Sequence, residues 1–541
     1  MAVATAARKR QIENNDEPTD SDATTGSNKM QNVTGGLLQY HKEEMCIGYQ
    51  DNSHTSNRNH DVGVTGESTC ANYHISKETE NKAKIKCPYL GTINRHLLDF
   101  DFEKLCSISL SNKHVYACLV CGKYFQGRGK NTYAYTHAIE ESHYVFMNLE
   151  DCKIYCLPEN YLVEDASLND IVNFLQPTFT KEYVKNIDSK IVYGKALDGT
   201  DFIPGCIGLN NLKKSDFFNV VIQALCCVGS LRNYLLLLDV KKVQPPDPII
   251  TTLSELIRKI FNTKNFKGIV SPHEFLQAVG VASGGTYKIG SQSDPVALMS
   301  WIFNRLHNRL KSKRTAGMWL NPVYMSYPES IISKTFGGQL KVFTLDGQKW
   351  KTDIVPFKML TLDVPSAPIF KDAQEKNVIP TVPIFQLLQK FDGQTEHTSS
   401  KGNLCRYSIL KLPQYLVLNI KRFTQNNFFL EKNPTIVSFP MKNLDLAQYL
   451  DEQSEDRISN SARYDLICNV CHQGSPTAGS YKIHIHHAPS GDWYELEDLL
   501  VTSVLPQFVA QSESYIQVYK RQDGGAADAP QEREEDINMF D

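Results

Sequence analysis

Cys118-Leu-Val-Cys121 is followed by His137 and His143, a Cys-x2-Cys-x15-His-x5-His arrangement. Thiolate and imidazole are the ligand types zinc prefers, and two cysteines on a tight knuckle supply half of a tetrahedron. The spacing predicts one Zn2+ held by Cys118, Cys121, His137 and His143. Histidines six apart do not share a helix face, so His143 is expected just past the end of a short helix carrying His137. A second pair, Cys468-Asn-Val-Cys471-His472, reads literally as a haem-attachment or redox motif. It continues the strand-like run YDLICNV, in which residues three apart point to opposite faces, so structural cysteines are expected there. His484 and His486 alternate with Tyr481, Ile483 and Ile485 and are expected to face solvent. Cys226 and Cys227 are expected in a core, as are Cys87, Cys106, Cys152 and Cys156, with Cys87, Cys106 and Cys156 left open as contributors to a second metal site.

These side chains need elements to hold them. With 541 residues the chain has room for two or three domains. Residues 1–84 are polar and read as a disordered tail, in which Arg8-Lys9-Arg10 is a solvated basic cluster. Residues 85–183, dense in aromatics and cysteines, read as a small metal domain; 184–202, rich in Lys and Asp, as a linker; 203–523 as an α+β domain; 524–541 as an acidic disordered tail. The α+β region is helical first and stranded later. Ser271-Pro272-His273-Glu274 has the form of a capping box, and Pro295 to Leu310 fits a helix. LPQYLVLNIKRF (Leu412 to Phe423) and SYKIHIHHA (Ser480 to Ala488) read as strands.

A net charge of −3 gives no global field for nucleic acid, so any RNA contact is expected to be local or through partners. No apolar run reaches the roughly 18–20 residues of a membrane helix, and the N-terminus lacks a signal-peptide layout. No membrane partner is expected, and the fourteen cysteines are expected as thiols unless metal holds them.

Cys87 to Leu149 resembles the ubiquitin-binding zinc finger of the UBP type. Tyr89, Ser109, Gln126 and Tyr133 stand where members with more metal carry extra ligands, so the resemblance implies a single zinc. It also implies a pocket for the free carboxyl tail of ubiquitin, with Arg128 as the carboxylate fork and Tyr116 and Tyr155 beside it.

Ile203 to Arg521 resembles the ubiquitin-specific protease fold, which is papain-like, with a helical thumb and β-rich palm and fingers. Active members read Gly-Leu-x-Asn-Leu-Gly-Asn-Thr-Cys-Tyr-x-Asn; here Gly208, Leu209, Asn211, Leu212, Phe217 and Asn219 are in register and the cysteine falls on Asp216. A thiolate at a helix start attacks carbonyl carbon, whereas a carboxylate there is expected to be an N-cap. The general base falls on Ser480 of Gly479-Ser480-Tyr481, and the orienting acid on Glu497. A serine hydroxyl does not shuttle protons near neutral pH. Phe336-Gly337-Gly338-Gln339-Leu340 and Leu412-Pro413 through Phe423 resemble further strands of that fold, and only Cys405 lies between these landmarks, so no second zinc is expected in the fingers. The combination resembles a splicing-associated, catalytically degenerate branch of the family. That implies a nuclear scaffold supporting tri-snRNP assembly or recruitment, with spliceosomal snRNP proteins and ubiquitin or a ubiquitin-like protein as partners. The alternatives are a thiol protease with a relocated nucleophile and a ubiquitin-binding adaptor.

Overall fold

The structure is a computed structural model, and it describes residues 86–311, 329–365, 379–399, 402–425, 430–459, 461–476 and 478–522. The two tails read from the sequence, with Arg8-Lys9-Arg10, lie outside these residues.

The N-terminal module is a five-stranded antiparallel sheet in the order Tyr124–Gln126, Val115–Cys118, Val145–Asn148, Ile154–Cys156, Tyr161–Leu162. Alternation sorts its residues onto two faces. Tyr116, Cys118 and Phe146 face Ala134 and Ala138 of the helix Tyr133–Glu140, while Val115, Ala117, Val145 and Met147 face a second core. That second core includes Phe266 of the larger domain, whose ring stacks on Phe174 at 4.4 Å. Polar contacts fix the same junction. Lys259 Nζ, buried, donates to Phe100 O at 2.8 Å and Asp101 Oδ1 at 3.0 Å, and Asp101 Oδ2 accepts from Ser271 N at 2.9 Å.

The larger domain begins with a helical lobe around Asp216–Cys227. Of its residues only Cys227 escapes full burial, so it runs through the core rather than along the surface. Helices Gly229–Leu237, Pro248–Ile260, His273–Ala282, Pro295–Leu310 and Ile331–Phe336 complete the lobe. Pro295–Leu310 forms where the sequence placed it, with the Asp294 carboxylate accepting from Val296 N and Ala297 N. His273–Ala282 also forms, but the capping box does not. Pro272 holds the cap position, Ser271 turns its N–H to Asp101, and Glu274 reaches toward Lys104 at 3.8 Å. The contact with the N-terminal module outcompetes the local cap. The lysine- and aspartate-rich stretch between the two is packed: helix Lys181–Asn186 buries Val184, and Asp188 forms a paired bond with Arg232 at 2.7 and 2.8 Å.

The main sheet runs Leu360–Asp363, Tyr415–Lys421, Ser514–Arg521, Arg463–Gly474, Gly479–His487, Asp492–Glu497, Leu500–Val504, with Leu444–Asp445 paired beside Arg463–Gly474. Only the first pair is parallel. One face supplies Cys468, Val470, Ile483, Ile485 and Ile516 to the helical core; the other supplies Tyr464, Leu466, Trp493 and Tyr519 to a second core. A sheet covered on both sides has no solvent face at its centre. His484 is accordingly buried, not exposed as its alternation suggested: its Nε2 pairs with Glu495 Oε2 at 2.9 Å and its Nδ1 lies 3.7 Å from Cys471 Sγ. A four-stranded ribbon, Lys349–Phe357, Gly338–Asp346, Leu404–Lys411 and His397–Thr398, projects from this body and contains buried Cys405.

Candidate functional site

Sulfur and nitrogen atoms of Cys118, Cys121, His137 and His143 lie within 4.8 Å of one another, the one such cluster among the described residues. Cys118 ends a strand, Cys121 follows on the turn closed by the Gly122 N–H to Cys118 O bond, and His137 sits in the last turn of Tyr133–Glu140. Ser142, at φ 57°, reverses the chain so that His143 points back. Cys121 Sγ is 3.4 Å from His137 Nε2, which is 3.1 Å from His143 Nδ1. Zinc bonds of about 2.0–2.3 Å in a tetrahedron place neighbouring donors roughly 3.3–3.8 Å apart. The donor set and its spacing therefore fit one zinc ion, which would tie the helix to the sheet. The proton shared by the two thiols favours thiolate at Cys121, with help from His143 and His137, and pushes Cys118 up. The positions of further ligands are filled by direct contacts. Ser109 Oγ donates to Gln126 Oε1 at 2.8 Å, Cys106 Sγ accepts from Ser109 N and Gln126 N, and Tyr89 packs on Tyr144 with centroids 4.4 Å apart.

Arg128, Tyr155 and Tyr116 come together on the same module. The Arg128 guanidinium lies 4.1 Å above the Tyr155 ring and donates to Asn160 Oδ1; the Tyr155 ring meets Tyr116 edge-on at 6.2 Å. Stacking fixes the plane of the guanidinium and leaves most of its N–H fork free for a planar anion.

In the larger domain the Asp216 carboxylate does not cap its own helix. Ser215 occupies the cap position but its Oγ accepts from Leu212 N at 2.7 Å instead of capping the helix, and Asp216 Oδ2 crosses to accept from Tyr481 N at 2.8 Å and Gln292 Nε2 at 3.3 Å. The reason is positional: the register with Asp492–Glu497 starts only at Ile483, so the Tyr481 amide has no strand partner on that side. At 5% exposure, Asp216 is pushed above the usual carboxylate range, by burial first and also by Asp498, although the Tyr481 amide pulls the other way. Ser480 therefore adjoins Asp216 through the next residue, while Glu497 makes no side-chain hydrogen bond among the described residues.

Asp498 does what sequence reading did not assign. Held at φ 51°, it accepts from Asn211 Nδ2 at 2.9 Å and Asn219 Nδ2 at 3.0 Å, and its carbonyl accepts from Leu209 N. Gly208 packs so closely on the next residue that a Cβ would sit 2.6 Å from Leu499 O. Asn211 Oδ1 in turn accepts from Ser215 N at 2.9 Å. The oxygen and one N–H of the Asn211 amide are thus engaged, which fixes the plane of the group. Cys206 and Cys226 are buried, and burial pushes both thiols up, the reverse of an activated nucleophile. Cys468 and Cys471 take opposite sides of the sheet, Cys468 in the helical core and Cys471 against Ser512 and His484.

Comparison with known proteins settles the lineage. The family "Ubiquitin carboxyl-terminal hydrolase" matches residues 207–519, more than half of the chain. The chain belongs to the ubiquitin carboxyl-terminal hydrolase family. The finger described as "Zn-finger in ubiquitin-hydrolases and other protein" matches residues 106–168. Human ubiquitin carboxyl-terminal hydrolase 39 is 46% identical over 477 residues, 82% of each chain. A probable mRNA-splicing protein, ubp10 of Schizosaccharomyces pombe, is 40% identical over 457 residues, 80% of this chain and 88% of that one. The crystal structure of an essential yeast splicing factor matches with a TM-score of 0.65 at 27% identity, over 80% of this chain and 100% of the other. A finger followed by a hydrolase fold is thus the architecture of this family member, and the Asp216–Tyr481 and Asp498–Asn211 contacts lie within the hydrolase match.

Proposed function

We propose that this chain is a non-catalytic scaffold of pre-mRNA splicing, acting in the nucleus in tri-snRNP assembly or recruitment through contacts with snRNP proteins. The carrying observation is the Asp216 carboxylate closed onto the Tyr481 amide, where the family resemblance places a thiolate, with Ser480 where it places the base. A carboxylate that is buried and already hydrogen-bonded has no route to acyl transfer comparable to that of a thiolate. The splicing role is supported by the relatives, of which one is named a probable mRNA-splicing protein and another an essential splicing factor. Zinc held by Cys118, Cys121, His137 and His143 supplies folding energy to the finger.

The decisive test of inactivity is a ubiquitin probe carrying a C-terminal electrophile. No covalent adduct is expected, and capture abolished by mutating one cysteine would return the protein to the thiol proteases. Tri-snRNP proteins should co-purify with the tagged chain from nuclear extract; their absence from that fraction overturns the splicing assignment. The stacked Arg128 favours a second reading alongside the first, in which the finger takes a free ubiquitin-like carboxyl tail. Binding should then disappear in Arg128→Ala and with a tail ending in a carboxamide.

A further inference from the structure

Leu500–Val504 ends the main sheet, paired with Asp492–Glu497 on one side and with no strand among the described residues on the other. An open edge of this kind is a template for another strand, and proteins blunt such edges with lysine, other charges or proline. The other edge strand of at least five residues among those described, Lys349–Phe357 of the projecting ribbon, is blunted in this way by Lys349, Lys351, Asp353 and Pro356. Leu-Val-Thr-Ser-Val carries none of these. It is accompanied instead by large apolar side chains in water: Leu499, Leu500, Leu505 and Phe508 are 48, 60, 62 and 63% exposed. Single exposed apolar side chains are ordinary, whereas four within ten residues beside an unpaired edge mark an interaction surface.

The order of residues along the edge says what covers it. Leu499 to Leu505 reads Leu-Leu-Val-Thr-Ser-Val-Leu, nearly symmetric in polarity about Thr502. Antiparallel pairing of the strand with itself about a two-fold axis at Thr502 sets Leu500 against Val504 of the second copy and Leu499 against Leu505 of the second copy. Apolar then meets apolar at the outer positions, and the two Thr502 hydroxyls meet at the centre. Moving the axis to Val501 or Ser503 would set Thr502 against Leu500 or Val504 instead. In the Thr502 register Asp498 and Glu497 fall opposite Pro506 and Gln507 of the second copy, so no like charges are opposed. A groove of about 650 Å³, lined by Phe202, Ile269, Tyr494, Leu499 and Val501, opens beside the strand. Because Leu499 lines it, Leu505 of the second copy enters it. Of the charged groups on its rim, Arg95 is held by Asp170, Lys267 by Asp99 and Asp198 by Thr200, which leaves His96 and Asp201, both exposed to solvent.

We propose that two copies of this chain associate edge to edge through Leu500–Val504, antiparallel about Thr502, with Leu505 of each copy seated in the groove beside Leu499 of the other. The two main sheets then run on as one. This goes beyond the splicing assignment and does not depend on it, because it concerns a different face and a second copy as the partner.

Sedimentation equilibrium of the full chain tests it. A contact of this size is weak, so the measurement runs up to about 100 µM. A reversible monomer–dimer equilibrium is expected, with amide exchange in Leu500–Val504 slowing at least fivefold as the dimer fills. Thr502→Lys and Thr502→Glu each set two like charges against one another at the two-fold axis, and each alone should weaken association at least tenfold. An equal mixture of the two variants should restore it, because lysine then faces glutamate; the recovery also shows that both variants fold. A chain that stays monomeric throughout the range overturns the proposal. A dimer that Thr502→Lys does not weaken overturns it in favour of another face, and a mixture that fails to recover overturns the pairing about Thr502.

Discussion

At pH 7, Asp216→Asn should leave the chain at least as stable as the native protein, whereas Asp216→Ala should cost about 2 kcal/mol. The carboxylate has two opposed effects. As an acceptor it satisfies the Tyr481 amide and Gln292, and deleting it strands a buried backbone donor, a loss of about 1–3 kcal/mol. As a charge it is disfavoured, by burial and then by Asp498. Asparagine keeps an acceptor for the Tyr481 amide, drops the charge, and can turn its Nδ2 toward Asp498. The pH dependence follows from the raised pKa. Between the ordinary carboxylate value of about 4 and the higher folded value, the folded chain binds more protons than the unfolded one, so stability falls as pH rises through that window and is flat above it. Asp216→Asn lacks this slope, so its advantage should grow with pH across the window and then hold constant. Urea unfolding between pH 4.5 and 8 can be followed by the fluorescence of Trp301 and Trp493, which pack in the helical lobe and the sheet. An asparagine variant less stable than the alanine variant, or a pH profile parallel to the native one, would refute this account of the contact.

Asp101→Ala leaves the Lys259 ammonium buried and the Ser271 amide unpaired, and should cost about 3–5 kcal/mol; adding Lys259→Met should recover more than half of that in the same urea assay. Lys213, exposed at φ 57°, pays for a left-handed backbone, so Lys213→Gly should gain about 0.5–1 kcal/mol while Lys213→Ala gains nothing. Metal analysis should find close to one zinc per chain, lost in Cys121→Ser. Chelation should raise amide exchange in the helix Tyr133–Glu140 without loosening the main sheet.

The parts legible in the sequence were those whose causes are local. Cys118 to His143 could be read because all four ligands fall within one short segment, and Pro295–Leu310 because Asp294 and Pro295 together mark its start. Asp216 was misassigned as a cap because its actual partner is 265 residues away. Asp498 was passed over because its role depends on a left-handed turn and on two asparagines 279 and 287 residues distant. His484 was misplaced because strict alternation fixes which residues share a face but not whether that face meets water; the second layer over the sheet comes from residues elsewhere in the chain.

The shared core at Phe266, with Lys259 driven into the N-terminal module, replaces a flexible tether by a fixed angle. A partner touching both the Arg128 face and the larger domain meets its second contact at an effective concentration set by rigid geometry rather than by linker statistics. Two contacts too weak to hold a complex separately then add, but only for a partner whose own two surfaces match that spacing. Loosening the junction would cost avidity and selectivity together while leaving each individual contact intact.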